Sequence, residues 1–261
     1  MEELRKILDY WNKDGLCSKD SPTSHADPFQ TKIDNYFETR QLTEFISKLP
    51  AKERALDIGA GYGRFAKVLA GYFKNVVAVE GADRIFTVLE QEMNPFDNVI
   101  SIRGSFESLA DKWENKFDLI LASGILYLYN DEMVNSFFEA VKKNLSPNGV
   151  LILRDFVVKG ERINKKSVYV QNGNCYYRDQ IFWNDFTNQY GMKMYKFVKS
   201  KPDLRFLRNP IVTKTIKLFH FTEFLLRAIT AGFKYNNFID ARESFTKTDC
   251  IYTIYMVIKN A

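Results

Sequence analysis

The sequence predicts an α/β protein built on a seven-stranded, mostly parallel sheet with helices on both faces. Three observations carry that expectation. Short β-rich apolar runs alternate with helical segments from residue 54 onward, a glycine-rich turn follows the first run, and two further strand patterns lie late in the chain.

Asp27-Pro28 pairs an N-capping residue with proline at a first helical position. Ile33, Tyr36, Phe37, Leu42, Phe45, Ile46 and Leu49 then form one apolar face until Pro50 ends it. Residues 1–50 are therefore expected to form an N-terminal helical lid. The alternation that follows runs ALDIG, a helix at 63–73, VVAVE, a helix at 83–93, NVISI, a short helix at 105–113, FDLILAS, a helix at 131–144 and GVLILRDF. Helices between β-rich runs imply crossover connections and parallel pairing. A helix near 178–190 and the strands MKMYKFVK (192–199) and CIYTIYMVIK (250–259) complete the core, the last two as an antiparallel pair at the sheet edge. The core is thus 51–199 and 249–261, and 200–248 is a helical insertion too long for a hairpin loop.

Within that insertion Asn209-Pro210 starts a helical pattern and Gly232 suits its end. Ile211, Ile216, Leu218, Phe219, Leu225, Leu226 and Ile229 supply an apolar side, and Lys214, Lys217, His220 and Arg227 fall near one line opposite. The pattern fits a helix packed on its own domain, a substrate lid, a dimer contact or peripheral membrane contact through 209–232.

The net charge of +5 and pI near 8.9 come from scattered Lys and Arg without a dense basic block, so no nucleic-acid partner is expected. Cys17, Cys175 and Cys250 are odd in number and show no metal-ligand or paired spacing, which favours a reducing, cytoplasmic setting and no metal site. The charged start of the chain does not resemble a signal peptide, and no apolar run is long enough to span a bilayer.

The most informative stretch is Ala55-Leu-Asp-Ile-Gly-Ala-Gly-Tyr-Gly-Arg64. Gly59, Gly61 and Gly63 alternate between a strand and a helix, leaving room for a ligand against the backbone and against the helix N-terminus. A dinucleotide site requires G-x-G-x-x-G to seat a pyrophosphate, whereas this turn is G-x-G-x-G with Asp57 in front of it. A carboxylate there repels pyrophosphate and suits an ammonium. Glu80 ends the second strand, where a carboxylate can accept both hydroxyls of a ribose.

This arrangement resembles motif I of the class I S-adenosylmethionine-dependent methyltransferases, and the likeness extends in order over residues 54–156. VVAVEGA, with Glu80 and Gly81, matches the ribose-binding segment, and RGSFESL matches the loop in which Ser105 and Phe106 would contact adenine. FDLILASGILYLY, with Ser123 and Gly124, matches the fourth strand and the loop facing the transferring methyl group, while LSPNGVLIL matches the turn into the fifth strand. The resemblance implies a Rossmann-like class I fold and S-adenosylmethionine as cofactor, with Asp57 helping to hold the methionine amino group and Gly59, Ala60, Gly61 and Gly63 forming the cradle. It places Tyr36 and Arg40 on a lid over the cofactor, although Tyr36 suits the core equally. Arg64 would hold the methionine carboxylate or stand exposed at the helix start.

Methyl transfer requires alignment and exclusion of water, and a base only where the nucleophile carries a proton. Candidate catalytic groups are Asp155 after the fifth strand, Tyr127 after the fourth, and His25 in SKDSPTSHADPF. Asp155 suits a cap or a salt bridge as well, and His25 an exposed loop. Tyr129, Tyr176, Tyr177, Arg178 and Asp179 lie at the same end of the sheet, with Asp179 equally suited to first-turn helix chemistry. The expected acceptor is a small molecule or glycan, anionic or lipid-linked if the insertion contacts it. GAGYGR and Tyr-Arg-Asp resemble protein N-terminal methyltransferases, but Tyr127 stands where that family has His and Asp155-Phe156 where it has Asp-Asn. A non-catalytic methyltransferase-like interaction protein is the remaining alternative.

Overall fold

The computed structural model describes residues 2–13, 28–106, 116–158, 160–166, 173–200 and 251–260. The expected helix at 105–113, the insertion, Asp27, His25 and His220 lie wholly or mainly outside them.

Two helices, α1 (Glu2–Lys13) and α2 (Pro28–Ser47), precede the sheet. The core then follows as β1 (Arg54–Ile58), α3 (Arg64–Ala70), β2 (Asn75–Glu80), α4 (Asp83–Met93), β3 (Val99–Arg103), β4 (Phe117–Ser123), α5 (Asp131–Asn144) and β5 (Leu145–Val158). A hairpin of β6 (Ile163–Lys166) and β7 (Asn174–Tyr177) leads to α6 (Gln180–Gln189), β8 (Met192–Lys199) and β9 (Ile251–Asn260). The sheet order is β3-β2-β1-β4-β5-β9-β8, parallel through β5, with β9 antiparallel to both of its neighbours. The seven strands and the antiparallel edge pair agree with the sequence expectation. The β6–β7 hairpin was not foreseen, because INKK is mostly exposed and carries no apolar alternation.

The central strands are buried on both faces, so their sequences are continuous apolar runs. Strand periodicity divides their side chains between two layers. Leu119, Leu121, Val150 and Ile152 pack with Leu42, Phe45 and Ile46 of α2 and Phe65 and Leu69 of α3. Ile120, Leu151, Leu153 and Val157 pack with Phe137 and Phe138 of α5 and Trp183 and Phe186 of α6. Capping fixes where two of these helices begin: Asn130 accepts from the Met133 N–H at 2.9 Å and Asp179 from the Phe182 N–H at 2.7 Å. Asp131 and Glu132 in the first turn of α5, and Lys142 and Lys143 in its last, complement the helix dipole. Lys193, Lys196 and Lys199 on edge strand β8 discourage pairing with another sheet. Among the described residues no helix is long and apolar enough to cross a membrane.

Candidate functional site

Strand order reverses between β1 and β4, and the crevice at such a switch point opens at the carboxyl ends of the strands. A cavity of about 260 Å³ lies there. Asp57 and Ile58 of β1, Glu80 of β2, Ser123 of β4, and Arg154 and Phe156 of β5 contribute to its lining.

The glycine turn forms one wall. Gly59, Gly61 and Gly63 all have positive φ (70°, 57° and 80°), a region other residues adopt at a cost. A Cβ on Gly59 would lie 2.7 Å from Ile125, and one on Gly63 2.5 Å from Met93, so these two are also packed from behind. A Cβ on Gly61 would meet nothing within 4 Å, because this residue faces the open cavity. Glu80 holds the turn in place: its carboxylate accepts from the Gly61 N–H at 2.9 Å and the Ala82 N–H at 2.8 Å. Burial raises the Glu80 pKa against the pull of those backbone donors.

Asp57 is 1% exposed, and its Oδ2 has no hydrogen-bond partner. Burial pushes its pKa up to about 7, with the Arg64 guanidinium opposing and the Glu80 carboxylate adding to the rise. An unpartnered buried carboxylate oxygen on a cavity wall is costly unless a cation arrives. Arg64 lines the same wall, and its guanidinium lies 4.0 Å from the Phe65 ring centre.

Behind Arg64 is a buried ionic cluster. Glu38 of α2, 1% exposed, accepts from Arg64 at 2.8 Å and from Arg154 at 2.5 Å, and the Tyr255 hydroxyl donates to its backbone carbonyl at 2.9 Å. Sequence reading passed over both Glu38 and Arg154, although each left a signal. Glu38 falls on the stripe of Leu42, Phe45 and Leu49, at helical spacings of four, seven and eleven, and Arg154 is a lone cation at the end of the apolar run GVLIL.

The roof is α1, whose Leu4, Ile7, Leu8 and Trp11 line the cavity. Glu3 ties this helix down by accepting from Asn130 at 2.7 Å and from the Tyr176 hydroxyl at 2.9 Å, while Asn12 accepts from the Arg84 N–H.

Of the expected cofactor contacts, Asp57, Gly59, Ala60, Gly61, Arg64, Glu80, Gly81, Ser105, Phe106, Ser123 and Gly124 all line the cavity. Gly63 stands behind the turn. Tyr36 and Arg40 do not line the cavity: Arg40 is exposed and donates to the Tyr36 hydroxyl at 3.3 Å, so α2 reaches the site through Glu38 instead. Tyr127 lines the cavity, packed edge-on to Phe156 at 4.8 Å and stacked with Tyr177 at 6.1 Å. Asp155 does not, because it shares the α5/α6 side of β5 with Leu153 and Val157. Asp179 is the α6 cap. Among the described residues, no three His, Cys, Asp or Glu side chains are grouped to hold a metal ion.

The methyltransferase-domain family matches residues 49–200, more than half of the chain. The chain belongs to that family. This methyltransferase has the class I fold, and the cofactor of the family is S-adenosylmethionine. It is 28% identical over 145 residues to phosphoethanolamine N-methyltransferase 1 of Triticum aestivum, a match that takes in 54% of this chain and 28% of the plant protein. Its fold is similar to an S-adenosylmethionine-dependent methyltransferase of Leishmania major (TM-score 0.64, 21% identity, 77% of this chain and 79% of that one). It is similar also to magnesium protoporphyrin IX methyltransferase of Synechocystis (0.61, 10%, 99% and 98%) and to 1,6-didemethyltoxoflavin-N1-methyltransferase of Burkholderia thailandensis (0.59, 12%, 86% and 78%).

Proposed function

We propose that this methyltransferase moves the methyl group of S-adenosylmethionine to a small-molecule or glycan-type acceptor in the cavity above β1, β4 and β5. The observation that carries the reading is the unpartnered Oδ2 of Asp57 on a cavity wall formed by a left-handed glycine turn. The residues present fit the cofactor. Asp57 would take the ammonium and Arg64 the carboxylate of the methionine moiety. Glu80 has lone pairs left after its two backbone bonds and would accept the ribose hydroxyls. Ser105, Phe106 and the apolar side chains of α1 would enclose the adenine. Bound S-adenosylmethionine supplies an electrophilic methyl on a sulfonium, which becomes a neutral thioether on transfer.

The chain's own part is to orient and to exclude water. Leu4, Ile7, Leu8 and Trp11 make an apolar roof, and Ser123, Gly124 and Tyr127 line the β4 side, where the acceptor would approach. We place Tyr127, rather than Asp155, beside the acceptor. The small-molecule acceptor is supported by the plant relative, a phosphoethanolamine N-methyltransferase by name. The scattered cysteines, of which Cys175 is buried and free, support a reducing cytoplasmic setting.

The test is transfer of label from methyl-tritiated S-adenosylmethionine into a cell extract divided by size. Label in the fraction below about 3 kDa supports the proposal, label confined to protein favours the N-terminal or side-chain protein methyltransferase reading, and loss of labelling in Asp57→Asn ties either to this cavity.

A further inference from the structure

The loop after β4, residues 124–131, carries Tyr127, Leu128 and Tyr129 to the cavity and is held from two sides by groups that do not line the cavity. From the hairpin side comes Arg178, 1% exposed, which follows β7 and is joined to β5 by the Val158 N–H to Arg178 carbonyl bond at 3.1 Å. Its Nη1 donates to the Leu126 carbonyl at 3.0 Å, its Nη2 to the Tyr129 carbonyl at 2.6 Å, and its Nε and Nη2 to Asp131 Oδ1 at 3.0 and 2.8 Å. One planar fork thus satisfies three successive points of a single loop, which a lysine ammonium lacks the shape to do.

From below comes Asp155, also 1% exposed. Its Oδ1 accepts from the Phe156 N–H at 2.7 Å, and the backbone N–H of Tyr127 also favours its ionised form. Arg178 and Arg154 are the charges that act on it, and Asp131 and Arg162 lie behind Arg178 in the same chain of ion pairs. The apolar Ile254 of β9 is its cross-strand partner.

We propose that Arg178 is a positioning residue for methyl transfer: its guanidinium fixes the backbone of 126–131 so that Tyr127 and Tyr129 are presented to the cavity. The proposal rests on the reading that this cavity is where transfer takes place, and it leaves Asp155 as a buried carboxylate beside the loop, with burial pushing its pKa up to about 7.

The test uses the protein uniformly labelled with ¹⁵N, with the Tyr127 amide assigned through Tyr127→Phe. In wild type the Tyr127 amide shift titrates between about pH 6 and 8. Asp155→Asn removes that titration, and Arg178→Met, by deleting a neighbouring cation, moves its midpoint upward. Arg178→Met and the milder Arg178→Lys also speed hydrogen exchange at Leu128 and Tyr129, whose amides bond to Ile125 and Leu126, by tenfold or more relative to Leu121 in β4. S-adenosylhomocysteine affinity stays within about threefold in every variant. Exchange at Leu128 and Tyr129 that is unchanged in Arg178→Met, or that rises equally at Leu121, overturns the positioning role. Failure of wild type to bind S-adenosylhomocysteine overturns the cofactor reading instead.

Discussion

Asp57 and Asp155 stand near the carboxyl ends of β1 and β5, on either side of β4. Both are 1% exposed, both have a pKa pushed up to about 7 by burial, and both have an Oδ2 without a partner. Their surroundings differ. Asp57 is next to an open glycine turn and lines the cavity, with Arg64 as the nearest opposing charge. Asp155 is one residue out of phase with Arg154 and Phe156, which line the cavity, and lies beneath a loop clamped by Arg178. Carboxylates that are equally perturbed can therefore stand in different surroundings, and access to the cavity separates these two.

The largest expected effect is on S-adenosylhomocysteine binding measured by calorimetry. Asp57→Asn weakens it by about 100-fold, as expected for a buried charge-assisted pair worth about 3 kcal/mol. Asp155→Asn leaves it within about twofold, and a matching loss there would erase the contrast between the two carboxylates. Glu80→Gln costs about 2 kcal/mol of the same affinity, since it weakens the bonds to Gly61 and Ala82 as well as the ribose site. Gly63→Ala acts on folding instead: φ of 80° and Met93 at 2.5 Å from the new Cβ predict a loss of about 1–2 kcal/mol in urea denaturation. A separate effect is on pH dependence. An acid whose pKa rises on folding favours the protonated native state, so ligand-free stability falls as pH rises from about 4 to about 7 and is level above that. Each single Asn variant should remove part of that slope, to which Glu80 also contributes, and an unchanged slope in either would show that its carboxyl is not a titrating group.

The order of strands was legible because buried parallel strands must be apolar runs separated by helices. The glycine turn, Asp57 and Glu80 were legible because backbone geometry and charge demand particular residues at fixed spacing. Glu38 and Arg154 are another matter. Each is a buried charge whose partners lie far along the chain, such as Glu38 and Arg154 at a separation of 116 residues, and local pattern reveals only that a charge stands among apolar neighbours. Asp155, which does not line the cavity, shows a different limit. Proximity to a strand end puts a residue near the crevice, but strand parity decides which face it joins.

Proton uptake or release during binding reports whether Asp57 exchanges its burial penalty for a cofactor cation. S-adenosylhomocysteine should be titrated at pH 7 in buffers of differing ionisation enthalpy. With the Asp57 pKa at about 7, arrival of an ammonium drives off its proton, so wild type should release about half a proton per ligand, and fewer at higher pH. Asp57→Asn should release none and bind weakly. Tight binding with no proton exchange in wild type, or the same release from Asp57→Asn, would contradict the assignment of this carboxylate to the cofactor.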